Sequence, residues 1–292
     1  MTEVILLDVG HGNCTIVRSA AETAVIDCPT GAMLLDTLDD LGVEMVEVAI
    51  ISHADKDHIA GILSLLTSDP VRVARVYVNP DGQKSSKIWN DFRVAVADAE
   101  LRGTVQIVTS LSTSVPGTVS VGEAEIAVLS PGAALALTAV GGKVAEAGKP
   151  AGSGKTVTSN TLSAVLRIKA RTEGSMLLAA DMDEISLDAA IASSADLSAD
   201  VLVFPHHGGL PGASDTEKFT ERLLAAVGPR SVIFSNGRGG HDAPRPEIVK
   251  VVRGRDCAIA CTQLSTQCQA AQVDADSYLE TLRASGRKRR AC

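Results

Sequence analysis

The run His53-Ala54-Asp55-Lys56-Asp57-His58 constrains this chain more than any other stretch. Directly before it, Val46-Glu47-Val48-Ala49-Ile50-Ile51 reads as a buried strand, and directly after it Ile59-Ala60-Gly61-Ile62-Leu63-Ser64-Leu65-Leu66 reads as a helix. Side chains able to bind metal are therefore delivered by a short loop between two packed elements. Imidazole nitrogens and carboxylate oxygens at alternate positions can converge on one ion or on a close pair. A solvated turn has no reason to place His, Asp, Asp and His in this register behind a buried strand.

What surrounds the loop must be an aliphatic core. Hydrophobic residues make up 45% of the 292, but aromatic ones only 2%. A chain this rich in Val, Leu, Ile and Ala can bury enough surface for a layered α/β domain. The net charge of -8 argues against a general polyanion binder, although bound metal ions would add local positive charge. No basic segment precedes the first apolar run, Val4-Ile5-Leu6-Leu7, and no window approaches the roughly 20 apolar residues needed to span a bilayer. The expectation is a cytoplasmic protein with no membrane partner. Cys14, Cys28, Cys257, Cys261, Cys268 and Cys292 lack the paired spacing of a structural zinc site and are expected to be free or buried thiols.

Read in order, residues 4–9, 14–18 and 23–27 form three short antiparallel strands, the first two joined by Gly10-His11-Gly12-Asn13. A helix is expected over 32–41, then the strand, ligand loop and helix of 46–68. A strand at 71–78 leads into a long helix at 85–102. Strands follow at 105–109, 118–121 and 124–129, and residues 131–160 read as a surface excursion or mobile loop. Inside it, Gly148 to Thr156 invites a phosphate-loop reading that fails. Its spacing is one residue too long, no strand precedes it, and a strand-like segment follows where a helix is needed.

The second half repeats the grammar of the first. A hairpin over 162–170 and 175–180 ends at Asp181, and a helix at 184–193 follows. The strand 201–204 ends at Pro205-His206-His207-Gly208-Gly209, and after a helix at 215–226 the strand 231–234 runs toward Gly240-His241. Metal-type side chains thus recur just past strand carboxyl ends, where α/β folds build their sites. His11, His53, His58, His206, His207 and His241 all sit in Gly-rich or strand-terminal loops, and none lies on an apolar helix face.

Together, His53-x-Asp55-x-Asp57-His58, Leu177-Leu178-Ala179-Ala180-Asp181, Pro205-His206-His207-Gly208, and Gly240-His241 with Pro246-Glu247 resemble the metallo-β-lactamase fold superfamily. More narrowly they resemble the branch found as the carboxy-terminal domain of ComEC/Rec2 competence proteins, to whose opening strand and loop Asp8-Val9-Gly10-His11-Gly12-Asn13 is similar. The resemblance covers residues 3 to about 260. It implies an α/β (α+β) fold, a four-layer αββα metallo-β-lactamase sandwich, with a hydrolase domain over 1–275 and a C-terminal helix and basic tail over 276–292. It also implies two divalent ions, Zn or Mn, at one edge. On that reading His53 and Asp55 serve the first ion, Asp57 and His58 the second, Asp181 bridges, and His206 or His241 completes the second site. This chain departs from the family in having Asp55 where a second His is usual and no His between His58 and His206. An oxygen-richer first site favours manganese or stays weakly filled. With no channel segment, a DNA-uptake pore is not expected.

Such a centre lowers the pKa of bound water and screens charge on a reacting ester. Asp57 would ligate and orient the nucleophile, and His207 or His241 would protonate the leaving alkoxide. Ser52, Asn160 and Lys155 are weaker candidates for phosphate contacts. The leading expectation is a metal-dependent phosphodiesterase or nuclease acting on a nucleotide or short nucleic acid, with a second copy of the chain, in a homodimer, as the candidate protein partner. Scarce aromatic residues and the acidic balance disfavour long single strands. The alternatives are a lactone, ester or amide hydrolase using the same centre, and a non-catalytic binder with a degenerate metal site. The tail Arg287-Lys288-Arg289-Arg290 reads as a solvated terminus.

Overall fold

A computed structural model of the chain describes residues 2–68, 71–144, 154–170, 174–213, 215–237 and 242–263. The strands form two sheets. The first runs β1 (Thr2–Leu6), β2 (Thr15–Ser19), β3 (Glu22–Ile26), β4 (Met45–Ile51), β5 (Arg72–Val78) and β6 (Gln106–Val108), each beside the next. The second, from the opposite edge inward, contains β7 (Thr118–Val121), β8 (Ala124–Ser130), β9 (Val165–Ala170), β10 (Ser175–Leu178), β11 (Val201–Val203), β12 (Ser231–Phe234) and β13 (Ala258–Cys261), also in sequential order. In both sheets the first strands pair antiparallel and the later ones parallel. That change follows from the connections: tight turns early, helical crossovers late.

Three buried aliphatic clusters explain the layering. Val25, Ala49, Ile51 and Val76 face the helices α1 (Met33–Asp40), α2 (Lys56–Thr67) and α3 (Lys87–Leu101). Ala24, Ile26, Val48 and Ile50 face the other way, onto Val119, Ile126, Leu166 and Val203 of the second sheet. Leu177, Leu202 and Val232 in turn face α5 (Glu184–Ala192), α6 (Thr216–Val227) and α7 (Pro246–Arg253). The order helix, sheet, sheet, helix is the αββα sandwich expected from the resemblance. Because β4 is covered on both faces, it reads as an almost unbroken apolar run. A one-residue slip would exchange the two faces and carry His53 away from the edge.

Several elements differ from expectation. Residues 131–144 and 154–163 are not a bare excursion. They hold α4 (Ala133–Thr138), a bridge between Lys143 and Thr156, and a small core of Leu135, Val157 and Leu162. The alanine-rich composition hid that helix, since Ala contributes little apolar stripe. The helix α7 and strand β13 were not anticipated either. The stretch 145–153, the tail 276–292 with its expected helix, Cys268 and Cys292 lie outside the described residues. Cys14, Cys28 and Cys257 are free thiols. No helix among the described residues is long and apolar enough to cross a membrane.

The carboxyl ends of β3, β4, β10, β11 and β12 open onto one edge, and hydrogen bonds lace the two halves together there. Ala164 donates to the Ser52 carbonyl at 3.0 Å, and the Ser235 hydroxyl donates to the Gly12 carbonyl at 2.7 Å.

Candidate metal centre

Each site residue is held by a local feature of its own. His53 follows β4 directly. Asp55 is the N-cap of α2 but caps no backbone N–H with its side chain, so its carboxylate stays available to the site. Asp57 and His58 lie in the first turn of α2, whose positive dipole end favours the Asp57 carboxylate. His58 is fixed from beneath: Cys28 N–H donates to the His58 carbonyl at 2.8 Å and Gly61 N–H donates to the Cys28 carbonyl at 2.9 Å. A Cβ at Gly61 would stand 2.4 Å from Cys28 Sγ and 2.6 Å from the Pro29 carbonyl, so only glycine lets helix and loop meet this closely.

His11 enters from the loop after β1. Gly12, at φ +131, presses this loop onto the Asp57 carbonyl, which a Cβ would approach to 2.7 Å. His206 and His207 both occupy left-handed backbone, at φ 50 and φ 57, in a 3₁₀ turn over Pro205–Gly208. Asp27 and Ala180, beside the site, are also at positive φ. Non-glycine residues in this region carry strain of about 1 kcal/mol or more each. Strain gathered on the ligand loops is repaid by the packed sheets behind them.

These loops bring seven of the residues singled out from sequence to one place. His53, His58 and Asp181 offer ligand atoms within 4.8 Å of one another, all buried, and His11, Asp57 and His207 form a second such group alongside. Asp181 lies at the centre. Its Oδ2 is 3.5 Å from His53 Nε2 and 3.5 Å from His206 Nδ1, and its Oδ1 is 3.5 Å from His58 Nε2 and 3.9 Å from His207 Nε2. Asp57 Oδ2 is 3.5 Å from His11 Nε2, 3.4 Å from His207 Nε2 and 3.9 Å from His58 Nε2. Asp55 Oδ2 is 3.9 Å from His53 Nε2, while its Oδ1 is paired with Lys84.

The far sides of the imidazoles set their tautomers. Asp27, buried, accepts from Ser52 N–H at 2.7 Å, from the Ser52 hydroxyl at 2.7 Å and from His58 Nδ1–H at 2.8 Å. Ser52 has given its only hydroxyl proton to Asp27, so its oxygen accepts from His53 Nδ1–H at 3.0 Å. Both rings therefore turn Nε2 toward Asp181. A bare lone pair facing a buried carboxylate is repelled, so a proton or a metal ion is required between them. His53 Nε2, His58 Nε2, His206 Nε2, His207 Nε2 and Asp181 Oδ1 are buried with no hydrogen-bond partner. Such a set of orphaned soft nitrogens and hard oxygens fits a divalent metal ion.

Electrostatics agree. Burial disfavours a charged His58, but the Asp27 and Asp181 carboxylates outweigh it and hold its pKa well above the ordinary histidine value. Burial likewise opposes ionisation of Asp181 and of Asp57, yet His58 and His53 pull Asp181 down, and His207 and His58 pull Asp57 down. Burial, with His53 and His207 nearby, holds His206 below its usual value despite Asp181. The cluster thus keeps its carboxylates ionised and calls for positive charge among them.

The structure places some residues otherwise than the sequence suggested. His207, expected as a proton donor, is 4% exposed with Nε2 beside Asp57, a position suited to a ligand. His58 lies with His53 at a ring distance of 4.1 Å, so the expected split between a His53 and a His58 ion is blurred. Asn160 and Lys155 line a neighbouring cleft with Asp55, Lys84 and His206, and Lys155 is paired with Glu184 at 2.7 Å. Ser52 lies beneath the rings as a hydrogen-bond relay. His241 and Arg287 to Arg290 lie outside the described residues. Sequence reading assigned no role to His11, Asp27 or Lys84. His11 carried a signal, a histidine between two glycines, and so did Asp27, which ends β3 as Asp181 follows β10. Lys84 carried none.

The profile of the Metallo-beta-lactamase superfamily matches residues 7–128. Among solved structures, the chain is similar to the metallo-beta-lactamase fold protein YhfI from Bacillus subtilis, at TM-score 0.53 and 12% identity over 88% of this chain and 95% of that one. It is also similar to Tm1679, called a metal-dependent hydrolase of the beta-lactamase superfamily, at TM-score 0.51 and 14% identity over 91% and 96%. A third is Zn(2+)-bound PqqB from Methylobacterium extorquens, at TM-score 0.50 and 14% identity over 86% of each chain. No curated protein matches in sequence. At such identities structural likeness establishes the fold, which is the metallo-β-lactamase sandwich, and together with the profile it supports the superfamily.

Proposed function

We propose that this chain, built on the metallo-β-lactamase fold, is a metal-dependent hydrolase of phosphodiesters, acting on small nucleotides or short nucleic acid. One observation carries the reading: both oxygens of Asp181 are ringed by imidazoles whose free nitrogens have no partner within the protein. His53, His58, Asp181 and His206 would hold one ion and His11, Asp57 and His207 another, with Asp181 between them. Divalent ions so held supply Lewis acidity and a nucleophilic water at neutral pH.

The residues of the chain do the rest. Asp27 and Ser52 lock the His58 and His53 rings so that no reorganisation is needed when substrate arrives. Asp57, 27% exposed at its side chain against 10% for Asp181, lines the open pocket and can orient an attacking water. That pocket, about 270 Å³, is lined by His11, Asp57, Asp181, His206, His207 and Arg245. Arg245 lines this pocket with its Nε paired to Glu247, and the remaining N–H groups of its guanidinium suit a phosphoryl oxygen, a feature that favours a phosphodiester over a neutral lactone or amide. The ComEC/Rec2-like motif His53-Ala54-Asp55-Lys56-Asp57-His58 supports the same substrate class.

The test is turnover of bis-p-nitrophenyl phosphate by protein reconstituted with manganese or zinc. We expect hydrolysis that chelator abolishes and Asp181→Ala reduces to background. Turnover of lactones or carboxylic esters alone would replace the substrate assignment, and no turnover of either would defeat the reading as a hydrolase.

A further inference from the structure

Lys84 is placed with more care than a surface lysine needs. Its backbone N–H donates at 3.0 Å to Asp81 Oδ1, and Asp81 is itself buried, with its other oxygen accepting from the Ser159 hydroxyl and its carbonyl from Trp89 Nε1 at 3.0 Å. This loop follows β5, the neighbour of β4 in the parallel part of the sheet, and so reaches the ligand loop from the side. The ammonium group ends on Asp55 Oδ1, while Asp55 Oδ2 faces His53 Nε2. One carboxylate is thereby shared between a lysine and the cluster.

On the reading that the cluster holds divalent ions, we propose that Lys84 is a positioning residue that withholds Asp55 from the ion beside His53 and keeps that ion weakly bound. A carboxylate already neutralised by an ammonium group is a poorer donor to a dication than a free one. The Asp57 carboxylate instead faces imidazoles, with His11 Nε2 at 3.5 Å and His207 Nε2 at 3.4 Å, so the two groups become unequal in affinity. The stronger group keeps its ion, and the weaker fills at higher metal concentration.

The test reads metal binding, not turnover. Manganese is titrated into chelator-stripped full-length protein by calorimetry, with stoichiometry checked by elemental analysis. Lys84→Met is expected to tighten the weaker ion about tenfold or more, because it frees Asp55 and removes a positive charge. Lys84→Arg keeps the pair and is expected to match the parent, which also checks that the loop still folds. Adding Asp55→Asn to Lys84→Met is expected to remove the gain. Unchanged or weaker binding in Lys84→Met would overturn the proposal, and so would a gain that survives Asp55→Asn. Failure of the unmodified chain to bind manganese or zinc at all would instead overturn the metal centre itself.

Discussion

Asp27 touches no substrate and yet decides how His58 is presented. It takes three donors, and the one from His58 Nδ1 aims Nε2 at Asp181. In Asp27→Asn the amide has one acceptor oxygen for those donors and no charge with which to hold the ring. Outer partners of this kind typically alter metal affinity or activity by about 10–100-fold. We expect a loss in that range when zinc is competed against a chromophoric chelator. A change smaller than about twofold would refute the orienting role. Residue by residue, the sequence exposed histidines in unusual company, but not which nitrogen each would offer, because the tautomer of His58 is set by Asp27, which is distant in the chain.

At the scale of elements, the joint between α2 and the turn after β3 holds the site. Gly61 sits inside a helix, where Ala would ordinarily be favoured by about 1 kcal/mol. Here the added methyl would meet Cys28 Sγ at 2.4 Å and the Pro29 carbonyl at 2.6 Å. Overpacking of that kind typically costs about 1–3 kcal/mol, so the clash should outweigh the propensity. Gly61→Ala is expected to destabilise in urea unfolding and to weaken metal binding as His58 shifts; a stabilised variant would show that the helix and turn are not locked. The strands β3, β4, β10 and β11 were readable from continuous apolar runs, since both of their faces are covered. Helix α4 was not, because an Ala-rich turn shows little periodic stripe before tertiary packing selects its face; α7 carries a stripe, with Ile248 and Val252 four residues apart, that was passed over behind its opening proline.

Across the whole molecule, the cluster couples stability to pH and to metal. The pKa of His58 is raised in the folded state, so its contribution is full below the unfolded value of about 6.5 and is lost as pH rises through the folded one. Asp57 and Asp181 are depressed, so theirs is full above about 3.9 and is lost as pH falls through the folded values. Metal-free protein should therefore melt at lower temperature as pH is raised from about 6.5 toward about 9, and added manganese or zinc should cancel the decline by replacing the proton with an ion. Melting curves with chelator and with metal would check this, and a metal-free melting temperature that holds steady or rises across that range would contradict it. The chain alone determined the class of chemistry and the layered fold, since ligand-type residues past strand ends and aliphatic runs between them are local patterns. Only the tertiary structure decided that His11 joins Asp57, that Asp181 faces His53, His58, His206 and His207, and that Lys84 reaches Asp55. Those contacts join residues from different strands and loops, and their geometry depends on how two sheets pack face to face.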